Sequence, residues 1–157
     1  MTDTKKIVFL LPVLCLLFII QKSGFLVVSG VNPNLLLIFF VFVVFLGVRL
    51  RFLVMLIFLF LTLTFFWLPF WFLPNLILAI IAATAYFSKI YLTGNKFGDF
   101  LTVIFAGTVI FYLAQALFTK RIFAGLIFEE VVYNLLLGFV LWFFLNFLIE
   151  RLEKIRF

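Results

Sequence analysis

The chain contains no histidine and only one cysteine, Cys15. Zinc sites and the Ser/His/Asp or Cys/His groups of hydrolytic enzymes need those residue types, so their scarcity argues against such sites. Cys15 lies inside an apolar run and is predicted to be a small core residue. Charge is also scarce, at 11% of the residues, where soluble domains have about a quarter. We therefore predict no metal, no cofactor and no His- or Cys-based catalytic site.

Apolar residues take the place of the missing charges. Hydrophobic residues make up 68% of the 157 positions, Phe alone contributes 27, and the mean hydropathy is +1.42. This composition is typical of an integral membrane protein. The apolar runs lack the two-residue alternation of a membrane β-barrel, which favours helices. We predict one all-α membrane domain over residues 1–157, with no separate soluble domain.

The second apolar segment begins with the most informative local pattern, around Pro33. Asn32 can cap a helix with its side-chain oxygen, and Pro33 suits the first helical position because it lacks an N–H donor. Asn34 stays polar before an uncharged run that ends at Arg49. The pattern predicts a membrane-spanning helix over 33–48.

The first apolar segment resembles the start of a signal peptide. Lys5 and Lys6 precede the run 7–20, but no small-residue cleavage site follows, and apolar residues resume at Phe25. We therefore expect an uncleaved first span over 7–28.

Residues 52–88 carry no charge at all. One helix of that length would extend roughly 55 Å, nearly twice the thickness of a bilayer core. Pro69, Pro74 and two nearby tryptophans indicate a turn, which divides the segment into spans over 52–68 and 75–92. The alanines of the second of these allow close helix packing, either within the bundle or with a partner.

The sequence of the last third of the chain predicts two more spans, over 100–118 and 131–149. Residues 122–128 are too few to cross a bilayer. They either lie along the interface or begin a long final helix. In the second case Glu129 and Glu130 lie about 10 Å along that helix, which is costly unless they are paired or protonated.

The positive charges predict the orientation. With six spans and a cytoplasmic N-terminus, nine lysines and arginines fall on inner loops and three on outer loops. The positive-inside rule therefore predicts that both termini are cytoplasmic. The basic residues lie at loop ends rather than on one face with aromatics, so we expect no nucleic-acid partner.

The polar residues inside the spans gather on or near the outer side under this topology. Glu130 and Asn134 are four residues apart and share a helix face. We predict a recognition site for a partner or a small ligand, formed by Pro33, Asn34, Gln115, Glu130 and Asn134.

A structural explanation of the same residues remains open. Glu130 would then pair with Lys120 or Arg121, and Asn134 would bond to a neighbouring helix and hold the bundle together.

Two short stretches carry a family resemblance. Gln21 closes the first span, Pro33-Asn34-Leu-Leu-Leu opens the second, and Glu130 precedes Tyr133-Asn134-Leu-Leu in the last. With the chain length and hydropathy, this pattern resembles the bacterial rod shape-determining protein MreD. The chain departs from that family in its third span, since residues 55–67 contain neither Gly nor Asp.

The resemblance implies a non-enzymatic, multi-pass scaffold of the bacterial inner membrane that works in cell elongation and peptidoglycan synthesis. Its implied partners are MreC, RodA with its transpeptidase and, indirectly, the MreB filament. The implied fold is similar to the six-helix bundle of S components, and Pro33, Asn34, Glu130 and Asn134 would be the family-typical positions.

The alternative is a substrate-binding S component of an energy-coupling-factor vitamin transporter. Such a protein usually has an Ala-x-x-x-Ala face on its first helix, whereas residues 7–20 contain neither Ala nor Gly.

Overall fold

The computed structural model describes residues 3–27, 30–67, 72–92, 94–119 and 124–154. These residues form helices and contain no β-strand, which confirms the all-α prediction for this part of the chain. The elements are α1 (Asp3–Ser23), α2 (Leu35–Phe45), α3 (Leu50–Trp67), α4 (Phe72–Ser88), a 3₁₀ helix (Lys89–Tyr91), α5 (Lys96–Thr119) and α6 (Ala124–Lys154).

Helix α2 lies at the centre of the bundle. It contacts α1, α4, α5 and α6, and its residues 35–44 are all buried. A helix that is apolar on every side must be enclosed by protein or lipid, and here protein encloses it. With 11 residues, α2 rises only about 16 Å. The central helix is therefore about half as long as a bilayer core is thick.

Aromatic side chains hold the C-terminal end of α2 against α5 and α6. The ring of Phe42 lies 6.4 Å from that of Phe100 and 5.8 Å from that of Trp142. Phe100 and Trp142 are themselves 4.7 Å apart, and Phe45 packs edge-on against Phe100 at 6.2 Å. Each such pair contributes about 0.5–1.5 kcal/mol beyond its buried area.

Helices α5 and α6 approach each other closely at Gly138. A Cβ atom there would lie 2.7 Å from Cδ1 of Ile104. A similar closeness occurs at Gly107, where a Cβ would lie 3.2 Å from side-chain atoms of both Ile81 and Leu37. Glycine at these positions lets the helix backbones pack together.

Several helix ends differ from the predicted spans. Helix α4 begins at Phe72, so Pro74 lies in its first turn, where a missing N–H costs nothing. Helix α5 begins at Lys96 rather than at residue 100. Helix α1 ends at Ser23 rather than at 28, since Gly24 adopts a φ of 69°. The predicted turn at Pro69 lies outside the described residues.

The start of α6 decides between the two alternatives for residues 122–128. The helix runs without interruption from Ala124, so residues 124–128 belong to the last helix. Residues 122 and 123 lie outside the described part of the chain. The long final helix is thus the alternative that the structure supports.

The alanines of α4 serve packing within the bundle. Ala79, Ala82 and Ala85 are buried, and α4 contacts α2, α3 and α5. Cys15, by contrast, is only half-buried.

The outside of the bundle carries many large apolar side chains. Exposed side chains include Phe66 at 75%, Leu117 at 81% and Phe128 at 70%. Two helical stretches, Lys96–Phe118 and Gly125–Arg151, are long and apolar enough to cross a membrane. The apolar stretches of the other four helices are shorter, at 10–17 residues.

Candidate functional site

The N-terminus of α2 is capped by Asn34. Its backbone is non-helical, with φ −87° and ψ 76°, and its Oδ1 accepts a hydrogen bond from the N–H of Leu37. The sequence predicted Asn32 as the cap and Pro33 as the first helical residue, and both positions are wrong by two residues. Asn32 instead donates from Nδ2 to the carbonyl of Gln21 at 3.4 Å. Pro33 is buried immediately before the cap.

Two further helices supply partners to this helix end. The N–H of Leu36 donates to Oε1 of Gln21 in α1 at 3.0 Å, and the N–H of Asn34 donates to Oδ1 of Asn134 in α6 at 2.7 Å. The first N–H groups of any helix lack partners inside the helix, and a buried helix end must find them elsewhere. Polar side chains from α1 and α6 meet that need here.

Asn134 links three helices. Its side chain is 0% exposed, and its Nδ2 donates to Oγ1 of Thr108 in α5 at 3.0 Å. The Thr108 hydroxyl in turn donates to the carbonyl of Ile104 at 2.8 Å. The amide of Asn134 thus bonds at its oxygen to α2 and at its nitrogen to α5. We call Gln21, Asn34, Thr108 and Asn134 the capping cluster.

The capping cluster lies midway along α5. Thr108 is 12 residues from Lys96 and 11 residues from Thr119, the two ends of that helix, or about 18 and 17 Å. The sequence placed Asn34 and Asn134 on or near the outer side. In the structure they lie beside the middle of α5, at the level of Thr108.

Glu130 lies one turn before Asn134 on the same face of α6. Its side chain is 5% exposed, and its Oε2 has no hydrogen-bond partner among the residues that the structure describes. The neighbouring Glu129 is exposed. Lys120 and Arg121, which the sequence offered as ion-pair partners of Glu130, lie outside the described residues.

Gln115 lies on the same side of α5 as Thr108. It is half-buried, and seven residues place it two turns, or about 10 Å, from Thr108 toward the Thr119 end. Of the five predicted site residues, the structure joins Asn34 to Asn134 by a direct bond, with Pro33 next to Asn34. Glu130 and Gln115 lie beyond them, toward the loop that connects α5 and α6.

Sequence reasoning missed the part that Thr108 plays. Thr108 donates to the backbone of its own helix, but it also accepts from Asn134. Tyr133 was noted only within the family pattern, yet its hydroxyl donates to the carbonyl of Leu26 at 2.8 Å. Both are polar side chains within long apolar stretches, which was the available signal.

The capping cluster consists of amides and one hydroxyl that bond to each other and to the backbone. Such groups fix the positions of helices and supply no nucleophile with a neighbouring base. No group of three His, Cys, Asp or Glu side chains that could hold a metal occurs in the described part of the chain.

Comparison of the chain with protein-family models, with curated proteins and with solved structures finds no match.

Proposed function

We propose that the chain is a multi-pass protein of the bacterial inner membrane with six membrane-crossing segments. In this proposal it acts as a non-enzymatic scaffold of the MreD type in cell elongation and peptidoglycan synthesis.

The apolar exterior supports the membrane part of the proposal. Helices α1, α3 and α4 contain 21, 18 and 17 residues, or roughly 26–32 Å, close to the bilayer core of about 30 Å. Helix α2 is too short to cross alone, but other helices enclose it. Non-helical backbone at membrane depth is tolerated where protein buries it, and Val31, Pro33 and Asn34, just before α2, are buried.

The bond between Asn34 and Asn134 carries the scaffold part of the proposal. The stretches that resemble the family, Pro33-Asn34 and Tyr133-Asn134, are 100 residues apart in sequence and are joined by a hydrogen bond of 2.7 Å. A resemblance that rests on two short leucine-rich stretches gains support when those stretches form one structural unit.

A face of α6 is the best candidate for partner contact. Asn34 and Asn134 use their polar groups inside the bundle, so we assign them a structural role, which is to fix the position of α6. Glu130 offers a buried carboxyl oxygen with no partner in the described residues, and the exposed Phe128 and Val132 lie on the opposite side of α6. The proposed partners are MreC and RodA with its transpeptidase, and MreB indirectly.

Co-purification in a gentle detergent tests this proposal. The tagged chain is extracted from its native membrane, and bound proteins and small molecules are identified by mass spectrometry. We expect MreC-type or RodA-type proteins with the unmodified chain and with Glu129→Gln, and several-fold less of them with Glu130→Gln. The two variants replace a carboxyl group by an amide at adjacent positions, one exposed and one buried.

Two outcomes contradict the proposal. Recovery of an ATPase-coupled membrane subunit or of a bound vitamin supports an S component instead. Equal recovery with both variants shows that Glu130 is not part of the contact.

A further inference from the structure

A groove of about 280 Å³ opens between α4 and α5 on the outside of the bundle. Ile81, Ala85 and Gly107 form its buried floor, and Ile80 and Ile110 are exposed along its edges. The groove exists because small side chains face each other across the two helices. Ala85 on α4 and Ala106 on α5 do not fill the space that two larger residues would close.

The groove offers only hydrocarbon to a ligand, although three hydroxyl side chains line it. The hydroxyl of Thr84 donates to the carbonyl of Ile80 at 2.9 Å, and that of Thr102 donates to the carbonyl of Gly98 at 3.0 Å. Ser88 donates to the carbonyl of Ala85 at 3.2 Å. Since each hydroxyl proton is used by the helix backbone, no donor points into the groove.

The size and shape of the groove fit a flexible chain better than a compact molecule. Its volume lies at the lower limit of small-molecule pockets, which span about 300–1,000 Å³. It is open along one side and follows the line between two helices. An acyl chain can lie in such a groove and extend past its ends.

Positive charge lies at one end of the groove. Ser88 and Leu92 line that end, and Lys89 lies between them in sequence, with its Nζ 4.1 Å from the ring centre of Tyr86. Lys96, the first residue of α5, is exposed in the same turn. The acidic residue of this turn, Asp99, is buried and accepts the Gly94 N–H at 3.0 Å.

We infer that the groove between α4 and α5 binds one acyl chain of an anionic phospholipid, with the phosphate beside Lys89 and Lys96. The inference goes beyond the scaffold role and needs only the membrane part of the proposed function. The proposed orientation places this end at the cytoplasmic surface, where anionic lipids attract basic residues.

Photo-crosslinking tests the inference on the purified full chain in lipid nanodiscs. The probe is phosphatidylglycerol with a diazirine near the end of one acyl chain, compared with phosphatidylcholine carrying the same chains. Labelled peptides are identified by mass spectrometry. We expect phosphatidylglycerol to label peptides of α4 and α5 about tenfold more than phosphatidylcholine does.

Two pairs of variants separate the acyl-chain contact from the charge contact. Ala106→Phe fills the groove from an exposed position and should abolish the labelling, whereas Val140→Phe places the same side chain on an exposed face of α6 and should not. Replacing both Lys89 and Lys96 by Gln should reduce phosphatidylglycerol to the level of phosphatidylcholine. Arg151→Gln, which removes an exposed charge elsewhere, should leave the preference intact.

Equal labelling of α4 and α5 by the two lipids in the unmodified chain overturns the inference. So does equal labelling of Ala106→Phe and Val140→Phe. If Ala106→Phe does not fold, Thr84→Leu is used in its place, since it narrows the groove from the α4 side. No partner protein is present in the nanodisc, so a failure here leaves the co-purification result unaffected, and the reverse also holds.

Discussion

The backbone N–H of Asn34 donates to Oδ1 of Asn134 across 2.7 Å. This bond joins the start of the central helix to the last helix, and Gln21 and Thr108 extend it to α1 and α5. The sequence suggested a recognition site at Asn34 and Asn134, with structural bonding as the alternative. For Asn134 the structure supplies those structural bonds, while a recognition role for the group remains a prediction.

Replacing Asn134 by Leu should destabilise the fold itself. The change leaves the N–H of Asn34 buried without a partner, at a cost of about 1–3 kcal/mol, and removes the bond to Thr108. We expect a loss of about 2 kcal/mol, since side-chain hydrogen bonds inside membrane proteins are individually modest. Thermal unfolding in detergent, followed by tryptophan fluorescence, measures this loss of stability.

Asn146→Leu is the matched control for this experiment. Among the described residues, Asn146 donates to the carbonyl of Trp142 in its own helix, so its loss should change the unfolding temperature little. Equal effects of the two substitutions would show that the bonds of Asn134 across the bundle contribute nothing special.

Gln21→Leu should loosen the first turn of α2. Its Oε1 is the acceptor for the N–H of Leu36 at 3.0 Å, and Leu cannot accept. We expect the amide of Leu36 to exchange with deuterium about tenfold faster. Gln21→Glu keeps an acceptor at the same position and should largely preserve the protection. Unchanged exchange in Gln21→Leu would contradict the assigned bond.

Gly138→Ala should destabilise the contact between α5 and α6. The new methyl group would lie 2.7 Å from Cδ1 of Ile104, and such overpacking costs about 1–3 kcal/mol. Ile104→Val removes that Cδ1 atom and should restore part of the stability in the double variant. The unfolding temperatures of the two single variants and the double variant measure the coupling.

A second glycine of α6 provides the control. Nothing lies within 4 Å of a Cβ at Gly125, so Gly125→Ala meets no neighbour and should stabilise the helix slightly, by up to about 1 kcal/mol. If Gly125→Ala and Gly138→Ala destabilise equally, crowding is not the cause.

Phe100→Ala and Phe105→Ala should differ strongly although both lie in α5. Phe100 is fully buried between Phe42 and Trp142, and its loss should cost about 3–5 kcal/mol. Phe105 is exposed on the outside. Its replacement by Ala should lower the free energy of unfolding in detergent by less than about 1 kcal/mol. Unfolding in a denaturant series measures both. Similar costs would show that Phe100 is not at the centre of the aromatic core.

The sequence predicted the helices well and their arrangement poorly. The lack of a two-residue alternation favoured helices over strands, and proline and charge indicated both ends of α3, the start of α2 and the end of α5 to within two residues. It could not show which helix is central, because several of the helices are apolar on all sides and offer no face to orient. The start of α2 was misplaced because Asn32 and Asn34 are equally good caps in the sequence.

The site was predicted in part for a similar reason. The spacing of Glu130 and Asn134 shows that they share a helix face, since it depends only on the geometry of one helix. The partner of Asn134 on α5 depends on how two helices pack, and the close approach at Gly138 sets that packing. No local pattern in the sequence encodes the packing of α5 against α6.

The position of α2 at the centre has a consequence for biosynthesis. Its first turn is completed by α1, which is made before it, and by Asn134, which the ribosome adds 100 residues after Asn34. Until the last helix is made, the N–H of Asn34 in a nascent chain lacks this acceptor, although Asn34 and Gln21 already cap the helix. Completion of the bonds at the start of the central helix therefore depends on synthesis of α6.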